Sequence, residues 1–229
     1  MSGELKIIVA GPLSCGKSEI ANILSNASKG YTGNYTPTIA VRILEFSSAL
    51  DINGMQTSID IQLWDTSGDE KYSLTWPAIA KDADGMLLVY NGYKKKDAQA
   101  IERYCRELGK ELSSKQVLVV AHKIGESEDK IASPKLPKGF EPKIVAADAK
   151  NNFNEFQEKF ETFAAECYQM KLKKIEEKEK QMLGETVQKK VKKMVEPKKE
   201  EKTAEGDISP EEDEADAIPP PSKPKIADD

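Results

Sequence analysis

LKIIVAGPLSCGKSEIANILSNAS, residues 5–28, reads as three pieces joined end to end. LKIIVAG (5–11) is a short apolar run rich in β-branched residues that stops at glycine, which is the profile of a buried strand. KSEIANILSNAS (17–28) puts Ile20, Ile23, Leu24 and Ala27 on one helical face. Between them, GPLSCGKS (11–18) fits G-x-x-x-x-G-K-[ST]. In that pattern the backbone curls so that successive N–H groups aim inward at phosphate oxygens, and Gly16 permits close approach. The helix beginning at Lys17 offers the positive end of its dipole. Lys17 is placed to reach the outer phosphates, and the Ser18 hydroxyl to reach Mg2+.

The same alternation continues outward. VRILEF (41–46) and SIDIQLW (58–64) read as strands around the turn DING (51–54), a hairpin. GMLLVYN (85–91) and QVLVVAH (116–122) are continuous apolar strands of the kind buried on both faces. AIERYCRELGKEL (100–112) and NEFQEKFETFAAECYQM (154–170) read as helices, the second with Phe153, Phe156, Phe160 and Phe163 as its buried face. Alternating strands and helices predict an α/β fold with a mainly parallel six-stranded sheet flanked by helices. Between Gly125 and Lys143, Pro134, Pro137 and Pro142 are spaced too closely for a full helix, so an irregular Pro-rich connector is expected.

Composition divides the chain. All aromatic residues fall within 1–170, the expected folded domain. Residues 171–196 are compatible with a charged helical extension, and 197–229 with a disordered acidic, Pro-rich tail. Residues 171–199 hold 11 Lys and 5 Glu, net +6, whereas 200–229 hold 3 Lys and 11 acids, net −8. An overall charge of −5 argues against generic nucleic-acid binding. One histidine, His122, and three scattered cysteines exclude a histidine-rich metal site or a His-based triad. No stretch approaches the length of a bilayer span, and the N-terminus lacks a signal-peptide pattern, so a cytosolic protein is expected.

Two further segments complete the phosphate chemistry. LWDTSGDE (63–70) ends a strand on Asp65, an acid suited to hold Mg2+ through water. YTPT (35–38) offers the Thr38 hydroxyl and N–H to the metal and the γ-phosphate. GPLSCGKS, YTPT, DTSGDE, HKIG (122–125) and ADAK (147–150) occur in the order and approximate spacing of the Ras-like small GTPases, a P-loop NTPase family. TPTIAVRILEF (36–46), LWDTSGDEKYSLTWPAIAKDADGMLLVYN (63–91) and VLVVAHK (117–123) resemble more closely the Rab-like subunits of the intraflagellar transport B complex.

The resemblance implies a GTP or GDP site with Mg2+. Leu13, Ser14, Cys15, Gly16, Lys17, Ser18 and Glu19 would form the phosphate loop, with Ser18 and Thr38 on the metal and Asp65 behind a water. Gly68 would sense the γ-phosphate. Tyr31, His122, Lys123, Ala149 and Lys150 would surround the base, and Lys17 and Asp69 would occupy the catalytic positions. It further implies coiled-coil partners (intraflagellar transport proteins 74 and 81), docking near Thr38, Trp76 and the last helix. The expected location is the cilium or flagellum, the basal body region and the cytoplasm.

Three departures set the expected activity. The family's Asn-Lys-x-Asp is His122-Lys123-Ile124-Gly125 here, so the carboxylate that reads guanine is missing. Glu126, Glu128 or Asp148 are candidates to replace it, and ATP tolerance remains an open alternative. Asp69 stands where the family uses Gln, and Leu13 where glycine is common, so hydrolysis should be very slow. The chain ends PKIADD with no cysteine after Cys167, so no prenyl anchor is expected. The leading reading is an adaptor, and a cycling GTPase switch in vesicle or cargo traffic is its rival.

Overall fold

The computed structural model describes residues 3–28, 36–125, 130–151 and 153–195, with backbone only for 183–195. Two compact units are distinguished, Met1–Leu183 and Gly184–Asp229. The first unit is built on a six-stranded sheet in the order β2-β3-β1-β4-β5-β6. The strands are β1 (Gly3–Ala10), β2 (Val41–Ile52), β3 (Met55–Thr66), β4 (Gly85–Asn91), β5 (Val117–His122) and β6 (Lys143–Ala147). Only β2 and β3 pair antiparallel. The expected α/β architecture is therefore the one observed.

Burial explains the pattern. Every residue of β4 and β5 is buried, as their unbroken apolar runs require. β2 is an edge strand and alternates between half-buried and exposed positions. The two faces of the sheet carry separate cores. One joins Ile7, Val9, Leu87 and Val120 to Ile20 and Leu24 of helix α1 (Lys17–Leu24) and to Phe156, Phe160 and Phe163 of the C-terminal helix. The other joins Ile8, Leu88 and Val119 to Trp76 and Ile79 of α2 (Trp76–Ala80) and to Ile101, Tyr104 and Leu108 of α3 (Lys95–Leu108).

Several boundaries moved. The hairpin strands run to twelve residues each, closing on a two-residue loop in which Asn53 (φ +56°) and Gly54 (φ +83°) are both left-handed. That turn matches the right-handed twist of paired strands, which stabilises the long ladder. The helix expected over 154–170 and the helical extension expected over 171–196 form one helix, α4, from Asn154 to Val195. Gly184 falls inside it and does not end it. The connector after Gly125 is irregular over its described part, 130–142. Ala132 N–H donates to the Gly92 carbonyl (2.7 Å) and Lys135 N–H to that of Ala98 (2.9 Å), so backbone bonds hold the connector against α3 and its N-terminal loop. The tail from residue 196 lies outside the described residues.

Candidate functional site

Five parallel strands, β1, β3, β4, β5 and β6, end at the same edge of the sheet, and loops leaving them meet there. Ligands in open α/β sheets bind at this edge. A cavity of about 930 Å³ opens at this edge, lined by Leu13, Ser14, Cys15, Gly16, Lys17, Ser18 and Glu19, by Thr36–Ile39, and by Asn22, Arg42, Ser67, Gly68 and Ile124. The phosphate-loop residues expected from the sequence are thus brought together with Thr38 and Gly68.

The loop's shape follows from what lies beneath it. Gly16 is left-handed (φ +85°) and precedes α1 without any side-chain cap, so the helix's first N–H groups stay available. A Cβ at Gly16 would come within 2.1 Å of His122 Nδ1. His122 closes β5, is 2 % exposed, and its Nδ1 lies 3.2 Å from the Cys15 carbonyl, which fixes Nδ1–H as the donor. Burial pushes the imidazole pKa below its ordinary 6.5, while the Cys15 carbonyl and Asp148 pull it up. The resemblance put His122 among the residues around the base; the structure has it close β5 and lie buried as a prop under the phosphate loop. Cys15 is also buried, with Sγ–H donating to the Val89 carbonyl (3.1 Å), and burial raises its thiol pKa. Lys17 is 6 % exposed and arches over the loop, its Nζ donating to the Pro12 carbonyl at 2.7 Å.

Across the cavity, Ser18 Oγ and Thr38 Oγ1 lie 2.8 Å apart, and Thr38 Oγ1 donates to Asp65 Oδ2 at 3.4 Å. Asp65 is fully buried, and its Oδ1 has no hydrogen-bond partner. Burial raises its pKa against the opposing pull of Ser18, Arg42 and Lys17. Two hydroxyls and an orphaned carboxylate oxygen form a hard donor set that fits Mg2+. Among the described residues no three His, Cys, Asp or Glu side chains converge, so phosphate oxygens would have to complete such a shell.

Arg42 was not legible as a site residue. Its Nη2 donates to Asp65 Oδ2 at 3.0 Å from the opposite strand, where Arg42 and Asp65 are register partners. Ala40, between Thr38 and β2, is left-handed (φ +52°), and its carbonyl accepts from Ser67 N–H at 2.8 Å. Gly68 packs directly on the phosphate loop, where a Cβ would meet Leu13 N, Pro12 C and Gly11 O at 2.6–2.7 Å.

Other expected residues stand apart from this cavity's walls. The Asp69 carboxylate pairs with Lys71 Nζ (2.9 Å) and accepts from Lys71 N–H (3.1 Å), capping the 3-10 turn Glu70–Thr75. The Lys71 contacts hold its pKa below the usual carboxylate range. Lys123 N–H donates to the Ala147 carbonyl (2.9 Å), which joins HKIG to ADAK. Asp148 accepts from Lys150 N–H (3.1 Å) and Asn151 N–H (3.0 Å) and draws Lys123 electrostatically. Burial would raise its pKa, but those hydrogen bonds hold it down. Ala149 is buried and Lys150 exposed in this loop, while Gly125 is left-handed (φ +84°). Tyr31, Glu126 and Glu128 lie outside the described residues. Trp76, expected on the partner surface, is buried at 2 % exposure against Tyr104; its exposed neighbour is Leu74. Trp64 is partly buried and packs against the second core, with Lys6 Nζ 3.9 Å above its ring.

Residues 6–125 match the family model of the Roc (Ras of Complex) domain of DAPkinase. The chain is 38 % identical over 122 residues to the Danio rerio intraflagellar transport protein 22 homolog, covering 52 % of this chain and 65 % of that protein, just under two thirds. It is 32 % identical over 161 residues to the Homo sapiens homolog, covering 69 % of this chain and 86 % of that one. The GTP-bound crystal structure of T. brucei IFT22/74/81 superposes with a TM-score of 0.61 at 26 % identity, covering 75 % of this chain and 98 % of that one. GTP-bound T. brucei IFT22 does so with a TM-score of 0.51 at 26 % identity, covering 69 % and 92 %.

Proposed function

This chain belongs to the intraflagellar transport protein 22 family of small GTPases, and from that membership we propose that it is a GTP-binding adaptor subunit of the intraflagellar transport B complex, needed to build cilia or flagella. The observation that carries the nucleotide part is the cavity itself. Uncapped N–H groups of α1, the arched Lys17 and the Ser18 and Thr38 hydroxyls face one space sized for a nucleotide, with the buried Asp65 carboxylate behind Thr38. Ser18 and Thr38 would hold Mg2+, with Asp65 behind them, and the ion would supply charge neutralisation at the phosphates.

Base recognition is atypical. Gly125 has no side chain to accept from guanine, and Asp148, in the ADAK loop that Lys123 N–H joins through the Ala147 carbonyl, is the described carboxylate proposed to substitute. Hydrolysis is very slow. Asp69 is committed to Lys71 and its carboxylate lacks the amide's donor, while Leu13 borders the cavity. Asp69→Gln should raise single-turnover GTP hydrolysis by about tenfold, the scale of one transition-state hydrogen bond. An unchanged rate would count against this account of the site.

The adaptor part is supported by exposed apolar side chains: Leu13 and Ile39 on the cavity wall, Ile43 on β2 and Leu74 in the 3-10 turn are 46–92 % exposed. A patch of this kind suits the hydrophobic seam of coiled coils, and the partners are intraflagellar transport proteins 74 and 81. Co-migration with those two subunits on gel filtration, lost in an Ile39→Asp, Leu74→Asp double variant, is the expected result. Undiminished co-migration of the double variant would move the interface elsewhere.

A further inference from the structure

The Asp65 carboxylate has two oxygens in two different situations. Oδ2 is taken by Arg42 Nη2 at 3.0 Å and by Thr38 Oγ1 at 3.4 Å. Oδ1 is buried and unpartnered. A fully buried carboxylate is costly to keep ionised; Ser18, Arg42 and Lys17 offset that cost, and among them Arg42 does so through a charge-assisted bond to Oδ2. The arginine differs from its partner in one respect: its side chain is 43 % exposed, on edge strand β2, and lines the cavity. It therefore stands with one face on the acid beneath the expected metal and the other toward the nucleotide space.

We propose that Arg42 is a resident counter-charge for Asp65 that makes nucleotide retention tolerant of Mg2+ loss. The inference rests on the nucleotide site described above. Where only a metal ion neutralises such an acid, removing the ion leaves a bare carboxylate facing phosphate, and the repulsion expels the ligand. Here a fixed cation remains at the carboxylate when the ion leaves. Thr38 stays hydrogen-bonded to the same oxygen, so the segment that carries it keeps its anchor.

The test is the release of a fluorescent GDP analogue from the full-length protein, in excess Mg2+ and after EDTA, for the parent, Arg42→Met and Arg42→Lys. For each protein the release rate after EDTA is read against that protein's own rate in Mg2+. EDTA should speed release only a few-fold in the parent and by at least about tenfold more in Arg42→Met, the scale of one lost charge-assisted bond. Arg42→Lys should fall near the parent, because it keeps the charge. Thermal melting without nucleotide provides a second readout: Mg2+ should raise the melting temperature of Arg42→Met more than that of the parent. Equal EDTA sensitivity in the parent and Arg42→Met would overturn the role of Arg42 while leaving the nucleotide site intact. Failure of the parent to bind the analogue even in Mg2+ would overturn the site and this inference together.

Discussion

Gly16 and His122 show how one residue's chemistry depends on another far along the chain. The left-handed φ of Gly16 and the 2.1 Å approach of its would-be Cβ to the imidazole leave no room for a side chain. Gly16→Ala should lower nucleotide affinity at least about tenfold, since the left-handed conformation alone costs an alanine roughly 1–2 kcal/mol. Titration calorimetry giving the parent's affinity would contradict this. His122 sets a pH dependence whose sign follows from its burial. Its folded pKa lies below the ordinary 6.5, so the unfolded chain takes up the proton first. The stability that neutral His122 contributes is complete above pH 6.5 and is lost as pH falls through the depressed folded value. Urea midpoints should therefore decline toward about pH 5.5 in the parent and decline less in His122→Asn. Parallel curves would contradict the prop assignment. At this scale the sequence was legible where a motif names its atoms, as with Lys17 and Ser18. It was not legible where a role arises from packing. His122 was read as the end of its strand and a neighbour of the base, but nothing in HKIG shows that its ring lies buried against Gly16. The partners of Asp69 are equally invisible in DTSGDE, since Lys71 becomes its partner only once the 3-10 turn forms.

Elements were read best where one physical cause dominates. Apolar runs gave β4 and β5 almost to the residue, because strands buried on both faces tolerate nothing else. The β2–β3 hairpin was found but cut short, since an edge strand with charged and polar outward positions looks like a loop by composition. Its turn held more information than was used. With Asn53 and Gly54 as a two-residue loop, Ile52 pairs with Met55, and counting back along both strands sets Arg42 opposite Asp65. The ion pair is thus a consequence of the turn type. β6 was not assigned, as KIVAA is short and ends in alanines. The phenylalanine face of α4 was read correctly for Phe156, Phe160 and Phe163, and Phe153 packs at its margin. Phe160→Ala should cost about 3–5 kcal/mol, whereas Leu172→Ala, beyond the core, should stay within about 0.5 kcal/mol. Chemical denaturation separates the two, and equal losses would mean that the core extends further along α4.

Across the whole molecule, the division of labour follows composition. Aromatic and branched residues build two cores on one sheet, and that sheet carries its loops to a single edge. No helix among the described residues is long and apolar enough to cross a membrane. α4 continues past the aromatic-rich part of the chain into the Lys- and Glu-rich segment, where charged residues favour helix without demanding burial. The boundary expected at 170 rested on the loss of aromatics, and the helical extension expected beyond it is the continuation of α4. The account depends throughout on the loop after β1 gripping the phosphates of a guanine nucleotide. The most direct measurement is to denature the purified full-length protein and its Lys17→Ala variant and identify the released small molecules by mass spectrometry. GTP or GDP in near-stoichiometric amount from the parent, and little from Lys17→Ala, is the predicted result. No nucleotide from the parent, or equal amounts from both, would contradict it.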